Sequence, residues 1–358
     1  MKTKNLAGLV LSGLVILGIL GVTVWAVKAY QTPLGPALQI STPTPIPFIN
    51  QMVQESIPIN NQAAPTAIPI NTQMIPTTVP TAVPTIAPVG VCGETAAWNI
   101  LILGSDAADM RGKKGSDLTR MARVDFLNRK VTVYSFSRDL WVDTAGLNLS
   151  YPTINAAPLG RVFYEARIRS TSLNVKTAMV DGTQTTARVL ARNFLISTDH
   201  YVTIDLAQIP AMVDAIGGVP INIPVTITDP WIGTVIPAGQ QTLNGTQFIA
   251  YARAIPDSDF GRIERNNLLL KALQQRLLDP GMWARIPQLY VQFNGVIATD
   301  LSPEQINHLA CLLKEVPPEA ILQDGVKQEW TSPGPQPGSL LWNKTTVINR
   351  LKELGLIP

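Results

Sequence analysis

The sequence predicts an α/β domain with a mixed central β-sheet flanked by helices, carried behind one transmembrane helix and a proline-rich tether. Three observations support this. Apolar runs of strand length alternate with helical patterns from Trp98 onward. Residues 6–27 are uncharged and almost wholly apolar. Residues 31–90 hold twelve of the chain's 29 prolines and a single charge, Glu55.

The N-terminal elements follow in order. Residues 1–5 form a short tail that contains Lys2 and Lys4. Leu6–Val27 is 22 residues long. At about 1.5 Å per helical residue such a run spans a hydrocarbon core of roughly 30 Å. Lysines precede it, no acid is near, and Trp25 and Tyr30 stand at the far interface. That asymmetry puts the tail in the cytoplasm and the remainder outside the membrane. The run is longer than the roughly 7–15 apolar residues of a cleaved signal peptide. Residues 31–90, with their recurring Thr-Pro and Pro-Thr-Ala-Val-Pro variants, bury too little apolar surface to offset ordering entropy. They are expected to be a disordered, semi-rigid polyproline II spacer with a reach of up to about 3.1 Å per residue.

Residues 91–358 have the length of one globular domain and carry 25 basic and 24 acidic side chains. A net charge of +3 for the whole chain argues against nucleic acid as a partner. Two cysteines and two histidines exclude a disulfide-rich module and a Cys/His zinc site. Chemistry then falls to Asp, Arg, Ser or a bound metal.

Within the domain, Trp98–Leu103 reads as a strand ending at Gly104-Ser105-Asp106. Ala122–Phe126 and Lys130–Phe136 read as strands joined by a turn at Leu127-Asn128-Arg129, and Tyr201–Leu206 as another. A helix over Ala207–Ile216 stops at Gly217-Gly218. Pro220 and Pro224 demote Val219–Thr228 to an edge or irregular strand. Helices follow over Thr246–Arg253 and Gly261–Leu278. Ser302-Pro303-Glu304-Gln305 is a capping box with proline at the first helical position, opening a helix through Cys311. Cys92 and Cys311 frame nearly the whole domain. They are either two separate buried thiols or, in an oxidising compartment, a disulfide. The disulfide is expected, because Cys92 lies where the tether would otherwise fray the domain edge.

Polar groups gather at the ends of apolar elements in Gly104-Ser105-Asp106, Ser116-Asp117, Ser137-Arg138-Asp139 and in Arg253 with Arg262 and Arg265. The carboxyl ends of strands are where open α/β sheets bind ligands. Arg262, Arg265 and Asn266 share one face of the long helix, with Ile263, Leu270, Leu273 and Leu277 opposite and facing the core. Arginine forks bind phosphate oxygens. One or two carboxylates hold Mg²⁺ when phosphates supply further ligands. The set points to a phosphate or pyrophosphate substrate held for phosphoryl transfer; for any one residue, a surface ion pair is the competing reading. His200 reads as structural and His308 has no visible partner. Ser105, Ser116, Ser135 and Ser137 lack a histidine partner for a hydrolytic triad. Trp141 and Trp231 read as core or rim residues.

The ordered series NILILGSD (99–106), GSDLTRMARVDF (115–126), KVTVYSFSRDLWVD (130–143), TINAA (153–157), DHYVTIDLAQIPAMVDAIGGVPINIP (199–224), LNGTQFIAYAR (243–253) and DFGRIERNN (259–267) resembles the LytR-CpsA-Psr family. The resemblance runs in the family's order over about Asn99–Leu278. It implies a membrane-anchored extracytoplasmic domain. Family members transfer a phosphorylated glycopolymer from a polyprenyl-pyrophosphate carrier to a wall acceptor, usually peptidoglycan, with Mg²⁺ (Mn²⁺ as a substitute). Carried over, Asp106 and Asp117 hold the metal and act with Arg138 in catalysis. Arg138, Arg253, Arg262, Arg265 and Asn266 bind the pyrophosphate. An apolar tunnel takes the prenyl chain.

The chain departs from the family pattern at several positions. Gly115 stands where the family has arginine before Ser-Asp, with Arg111, Lys113 and Lys114 near enough in sequence to supply the charge. Ile255 replaces a second arginine, Asn266 and Asn267 replace glutamines, and Ser137 replaces proline. Losing cations weakens pyrophosphate binding. This keeps two other functions in view: a non-catalytic protein that binds lipid pyrophosphate or glycan, and a pyrophosphatase that uses water as acceptor.

Overall fold

In the computed structural model the described residues are 28–40, 90–105, 115–147, 155–172, 174–228, 233–254, 259–277, 279–283, 289, 292–293, 296–317 and 320–358. The predicted transmembrane helix and residues 41–89 of the tether lie outside them. Among the described residues no helix is long and apolar enough to cross a membrane.

The domain opens with an antiparallel meander of β1 (Ala97–Ser105), β2 (Ser116–Asp125) and β3 (Lys130–Phe136). Apolar alternation sets the two faces. β2 starts six residues before the strand read from sequence, because Ser116–Met121 pair with β1 and β3 in spite of their polarity. The β2–β3 turn closes where the Asn128 backbone N–H and side-chain amide donate to Asp125 at 2.9 and 2.7 Å, with Arg129 at φ 51°.

Short strands β4 (Trp141–Asp143) and β5 (Ala156–Pro158) pair and lead into α1 (Leu159–Arg169) and α2 (Val175–Phe194). The sequence reading contains neither helix. Four threonines and Gly182 give α2 a weak intrinsic preference, and packing overrides it. A Cβ on Gly182 would lie 2.8 Å from the Phe163 ring, so glycine is what lets the two helices close. Thr183 and Thr186 donate back to the Met179 and Gly182 carbonyls at 2.8 and 2.9 Å, which satisfies their buried hydroxyls.

β6 (His200–Asp205) joins β1 in parallel. α3 (Ile209–Ala215) ends where Gly217 and Gly218 take φ of 78° and 81°. Strands β7 (Val219–Ile223), β8 (Ile227–Thr228), β9 (Val235–Ile236) and β10 (Gly239–Leu243) form two small ribbons, β7 with β10 and β8 with β9. Helices α4 (Gly245–Arg253), α5 (Asp259–Leu277) and α6 (Pro280–Trp283) follow. Val219, Leu243, Phe248, Tyr251 and Leu269 join these elements into their own hydrophobic cluster.

The last eighty residues bring β11 (Ile297–Thr299), α7 (Pro303–Glu315), β12 (Leu322–Gly325), β13 (Thr331–Pro333), β14 (Leu340–Trp342) and α8 (Lys344–Glu353). β11 pairs with β6 and β12 with β3, so this segment supplies both edges of a six-stranded mixed sheet ordered β11-β6-β1-β2-β3-β12. Ser302 and Gln305 form the capping box read from sequence. Cys92 and Cys311 are joined by a disulfide across 219 residues, pinning α7 to the start of the domain. In the chain-entropy account a loop of that length contributes up to about 5 kcal/mol. His200 bridges β6 to the same end: Nδ1 lies 3.3 Å from Asp300 Oδ2, Nε2 lies 3.2 Å from Gln305 Nε2, and its ring meets Trp98 edge-on.

A further segment differs from the sequence reading. Residues 31–40 belong to the stretch read as a free spacer, yet the described part of it lies along the domain. Leu34 N–H donates to the Leu301 carbonyl at 3.2 Å and Tyr201 Oη donates to the Pro36 carbonyl at 3.1 Å. Gln184 and Arg188 of α2 donate to the Gln39 carbonyl at 3.1 and 2.8 Å, while Leu38 and Ile40 pack on the main core. Proline removes donors but leaves carbonyls, and these carbonyls find partners on α2 and β6. The composition that reads as a spacer therefore also serves as a strap.

Candidate functional site

β1, β3, β6 and β12 run in the same direction, and polar residues collect at their carboxyl ends. Gly104 pairs with Leu118 but Ser105 with Ser116, so Asp117 is the extra residue of a bulge. A bulge re-aims the side chain it carries. Ser116 Oγ donates to the Leu118 carbonyl at 2.7 Å and fixes the kink. Asp117 then accepts from Arg138 Nη1 at 2.6 Å. Arg138 is the second residue after β3; its carbonyl accepts from Gly160 N–H at 2.8 Å, and its Nε lies 3.7 Å from Asp139 Oδ1. Both partners are partly exposed, so the pair remains within reach of a ligand and of water screening.

The same corner explains Gly115. A Cβ there would stand 1.9 Å from the Gly160 carbonyl oxygen, and a Cβ on Gly160 would stand 2.8 Å from Arg138 Cβ and from the Ser116 carbonyl oxygen. The starts of β2 and α1 and the loop after β3 thus meet backbone to backbone. An arginine at position 115 has no room in this arrangement.

The other predicted residues lie on α4 and α5. The capping box of Asn244 and Gln247 starts α4, and Arg253 ends it. Arg265 Nη2 donates to the Ala254 carbonyl, which holds the end of α4 against the first turns of α5. Burial pushes the Tyr251 hydroxyl up, and the Arg265 charge beside it pulls the other way. Asn266 is half-buried on the next position of α5. The face assignment of α5 needs correction. Arg262 is only 5% exposed and shares the buried side with Leu269 and Ala272, whereas Leu277, read as core, is 38% exposed. The helix is packed on more than one side, by its own cluster and by the sheet, so a two-sided amphipathic reading fails.

Asp117 and Arg138 are therefore in contact, and Arg265 adjoins the end of the Arg253 helix. Asp106 follows the last residue of β1 and lies outside the described residues, as do Ile255 and Trp231.

Sequence reasoning missed Arg120. It sits on β2 opposite Ile102 of β1 and Ser135 of β3, and is 1% exposed. Its Nη1 donates to Asn267 Oδ1 at 2.7 Å, tying β2 to α5. Asn267 also receives Gln323 Nε2 on its carbonyl oxygen at 3.3 Å. Burial pulls the Arg120 guanidinium down to about 10, so it stays charged at neutral pH. Its signal in the sequence is slight, since Arg120 follows Thr119 and Arg123 lies three residues further along the same strand.

Among the described residues no group of three His, Cys, Asp or Glu side chains could hold a metal ion. Asp117 offers a hard oxygen donor, which fits a Mg²⁺ ion that takes most of its ligands from phosphate and water.

The profile of the LytR_cpsA_psr family matches residues 72–344. Regulatory protein MsrR of Staphylococcus aureus (strain COL) is 25% identical over 207 residues, 57% of this chain and 56% of MsrR. The polyisoprenyl-teichoic acid–peptidoglycan teichoic acid transferase TagU of Enterococcus faecalis is 26% identical over 219 residues, 60% of this chain and 64% of TagU. The chain thus spans just over half to nearly two thirds of these relatives. The crystal structure of B. subtilis TagV superposes with a TM-score of 0.58 at 21% identity, covering 73% of this chain and 97% of TagV. An Actinomyces oris LytR-Csp2A-Psr enzyme gives 0.53 at 20% identity, over 73% of this chain and 92% of that one. Both show the fold.

Proposed function

The chain belongs to the LytR-CpsA-Psr family, and we propose that it transfers a phosphorylated glycopolymer from a polyprenyl-pyrophosphate carrier to peptidoglycan outside the membrane. The observation that carries the reading is the Arg138–Asp117 contact of 2.6 Å at the carboxyl ends of the parallel strands. Asn267 of α5, the helix that carries Arg262 and Arg265, is bonded to Arg120 of β2, the strand that also carries Asp117. The Cys92–Cys311 disulfide supports an oxidising compartment. The apolar run Leu6–Val27 is the proposed single-pass anchor.

In the proposed reaction an acceptor hydroxyl attacks the phosphorus that carries the glycopolymer. A new phosphodiester bond forms, the bond to the bridging oxygen breaks, and polyprenyl monophosphate leaves with the hydroxyl proton. Arg138, Arg253, Arg262 and Arg265 bind the phosphate oxygens and stabilise the charge that moves to the bridging oxygen. Bound Mg²⁺ supplies further charge neutralisation, with Asp106 and Asp117 as its protein ligands. Asp117 also fixes the Arg138 guanidinium, so little reorganisation accompanies the reaction. Half-buried Ile102, Leu118 and Ile204 share one sheet face and offer an apolar surface for the prenyl chain.

Product analysis in ¹⁸O-labelled water, with and without peptidoglycan, tests this. Transfer yields a wall-linked phosphodiester free of label. Label in a released glycan phosphate, at the same rate with or without acceptor, would make the protein a pyrophosphatase instead.

A further inference from the structure

Arg120 presents a combination that a structural role does not explain. It is a charged residue 1% exposed on a sheet face, and among the described residues its Nε and Nη2 have no hydrogen-bond partner. Those two nitrogens form one edge of the guanidinium, a two-donor fork that matches two oxygens of a phosphate. The opposite side is fixed, because Nη1 donates to Asn267 Oδ1 at 2.7 Å. On the neighbouring strands, the buried Ser135 Oγ and Gln323 Oε1 also lack partners among the described residues. Ser135 of β3 stands directly opposite Arg120, and Gln323 of β12 donates to the Asn267 backbone carbonyl. Leaving a buried donor unsatisfied costs about 1–3 kcal/mol, and more for a charged group. A protein built only for stability would place an apolar residue here.

The position suits a ligand of the site already described. Arg120 lies three residues after Asp117 on the same strand, about 10 Å along it. Its guanidinium reaches the side of the sheet covered by α5, where it meets Asn267. Ile102 and Leu118 flank it on that face and are half-buried. Position 115, by contrast, is closed to any side chain by the Gly160 carbonyl.

We infer that Arg120 binds the pyrophosphate of the lipid carrier through its Nε–Nη2 edge, with Ser135 and Gln323 beside it, and supplies the positive charge that Gly115 excludes. This rests on the pyrophosphate reading above. Asn267 is a positioning residue in this arrangement: it orients the fork without touching the ligand.

The test is calorimetric titration of the full chain, in detergent with Mg²⁺, by geranyl pyrophosphate and by inorganic pyrophosphate. Arg120→Met is expected to weaken both by about tenfold or more, with no fall in Tm. Asn267→Asp gives the guanidinium a carboxylate in place of an amide. It is expected to weaken binding similarly and decides the matter if Arg120→Met fails to fold. Arg120→Lys keeps the charge but loses the fork, and should fall between. Wild-type affinity in Asn267→Asp together with either Arg120 variant overturns the inference and leaves the pyrophosphate reading standing. A wild-type chain that binds neither ligand overturns that reading, and the inference with it.

Discussion

On the side of the sheet covered by α1 and α2, Leu101, Leu103, Met121 and Tyr134 are fully buried against Val162, Phe163 and Leu190. The other side begins in the same way at the disulfide end, with Ile100, Ala122, Val124 and Val131 under α7. One level further along, Ile102, Arg120 and Ser135 stand across from one another, and α5 meets them with an asparagine. The α1/α2 face is largely apolar and pairs its Arg123 with Asn99, whereas on the other face the Arg120 fork and Ser135 Oγ are buried with no partner among the described residues. The first face holds the fold together, and the second carries the contact proposed for the ligand.

The largest expected effect separates the faces directly. Leu103→Ala removes a fully buried side chain and should cost about 2–5 kcal/mol of unfolding free energy in urea titration, with pyrophosphate affinity unchanged in the folded protein. Arg120→Met should be neutral or stabilising in the same titration. Equal losses in both would break the comparison. Cys311→Ser is expected to cost about 2–4 kcal/mol by the same measurement, without altering ligand affinity. Gly115→Arg, which restores the family residue, should lose about 1–3 kcal/mol through overpacking and gain no affinity. A gain would show that the corner at Gly160 opens readily. Tyr201→Phe removes the bond to Pro36 and should cost about 1 kcal/mol, with faster proteolysis within residues 31–40.

A pH series sharpens the contrast. The folded-state value for Arg120 is lowered to about 10 by burial. The folded protein therefore releases this proton before the unfolded chain does. Wild-type stability should rise relative to Arg120→Met as pH climbs through about 10, and the difference should be constant below that.

The Arg138–Asp117 contact was legible because both residues lie where apolar strands stop. Ser137-Arg138-Asp139 follows β3, and Ser116-Asp117 begins β2, so polarity at a strand end marked them. Arg120 was not legible, since Arg120 and Arg123 sit three apart and point to opposite faces of one strand. Only the partner strands reveal which face is buried under a helix. α2 was lost because its threonines and Gly182 oppose helix formation until Phe163 packs against it. The strap was lost for a related reason: Leu34, Leu38 and Ile40 are too few to mark a buried segment within so many prolines. Both edge strands of the sheet come from the last eighty residues, and pairing across that distance leaves no local pattern.

Single-turnover transfer from a polyprenyl-pyrophosphate glycan to peptidoglycan, with wild type beside Asp117→Ala and Arg138→Ala, tests the central claim most directly. Each substitution should lower the rate by about a hundredfold or more at a Tm close to wild type, since the pair is partly exposed. Wild-type rates in either folded variant would contradict the account.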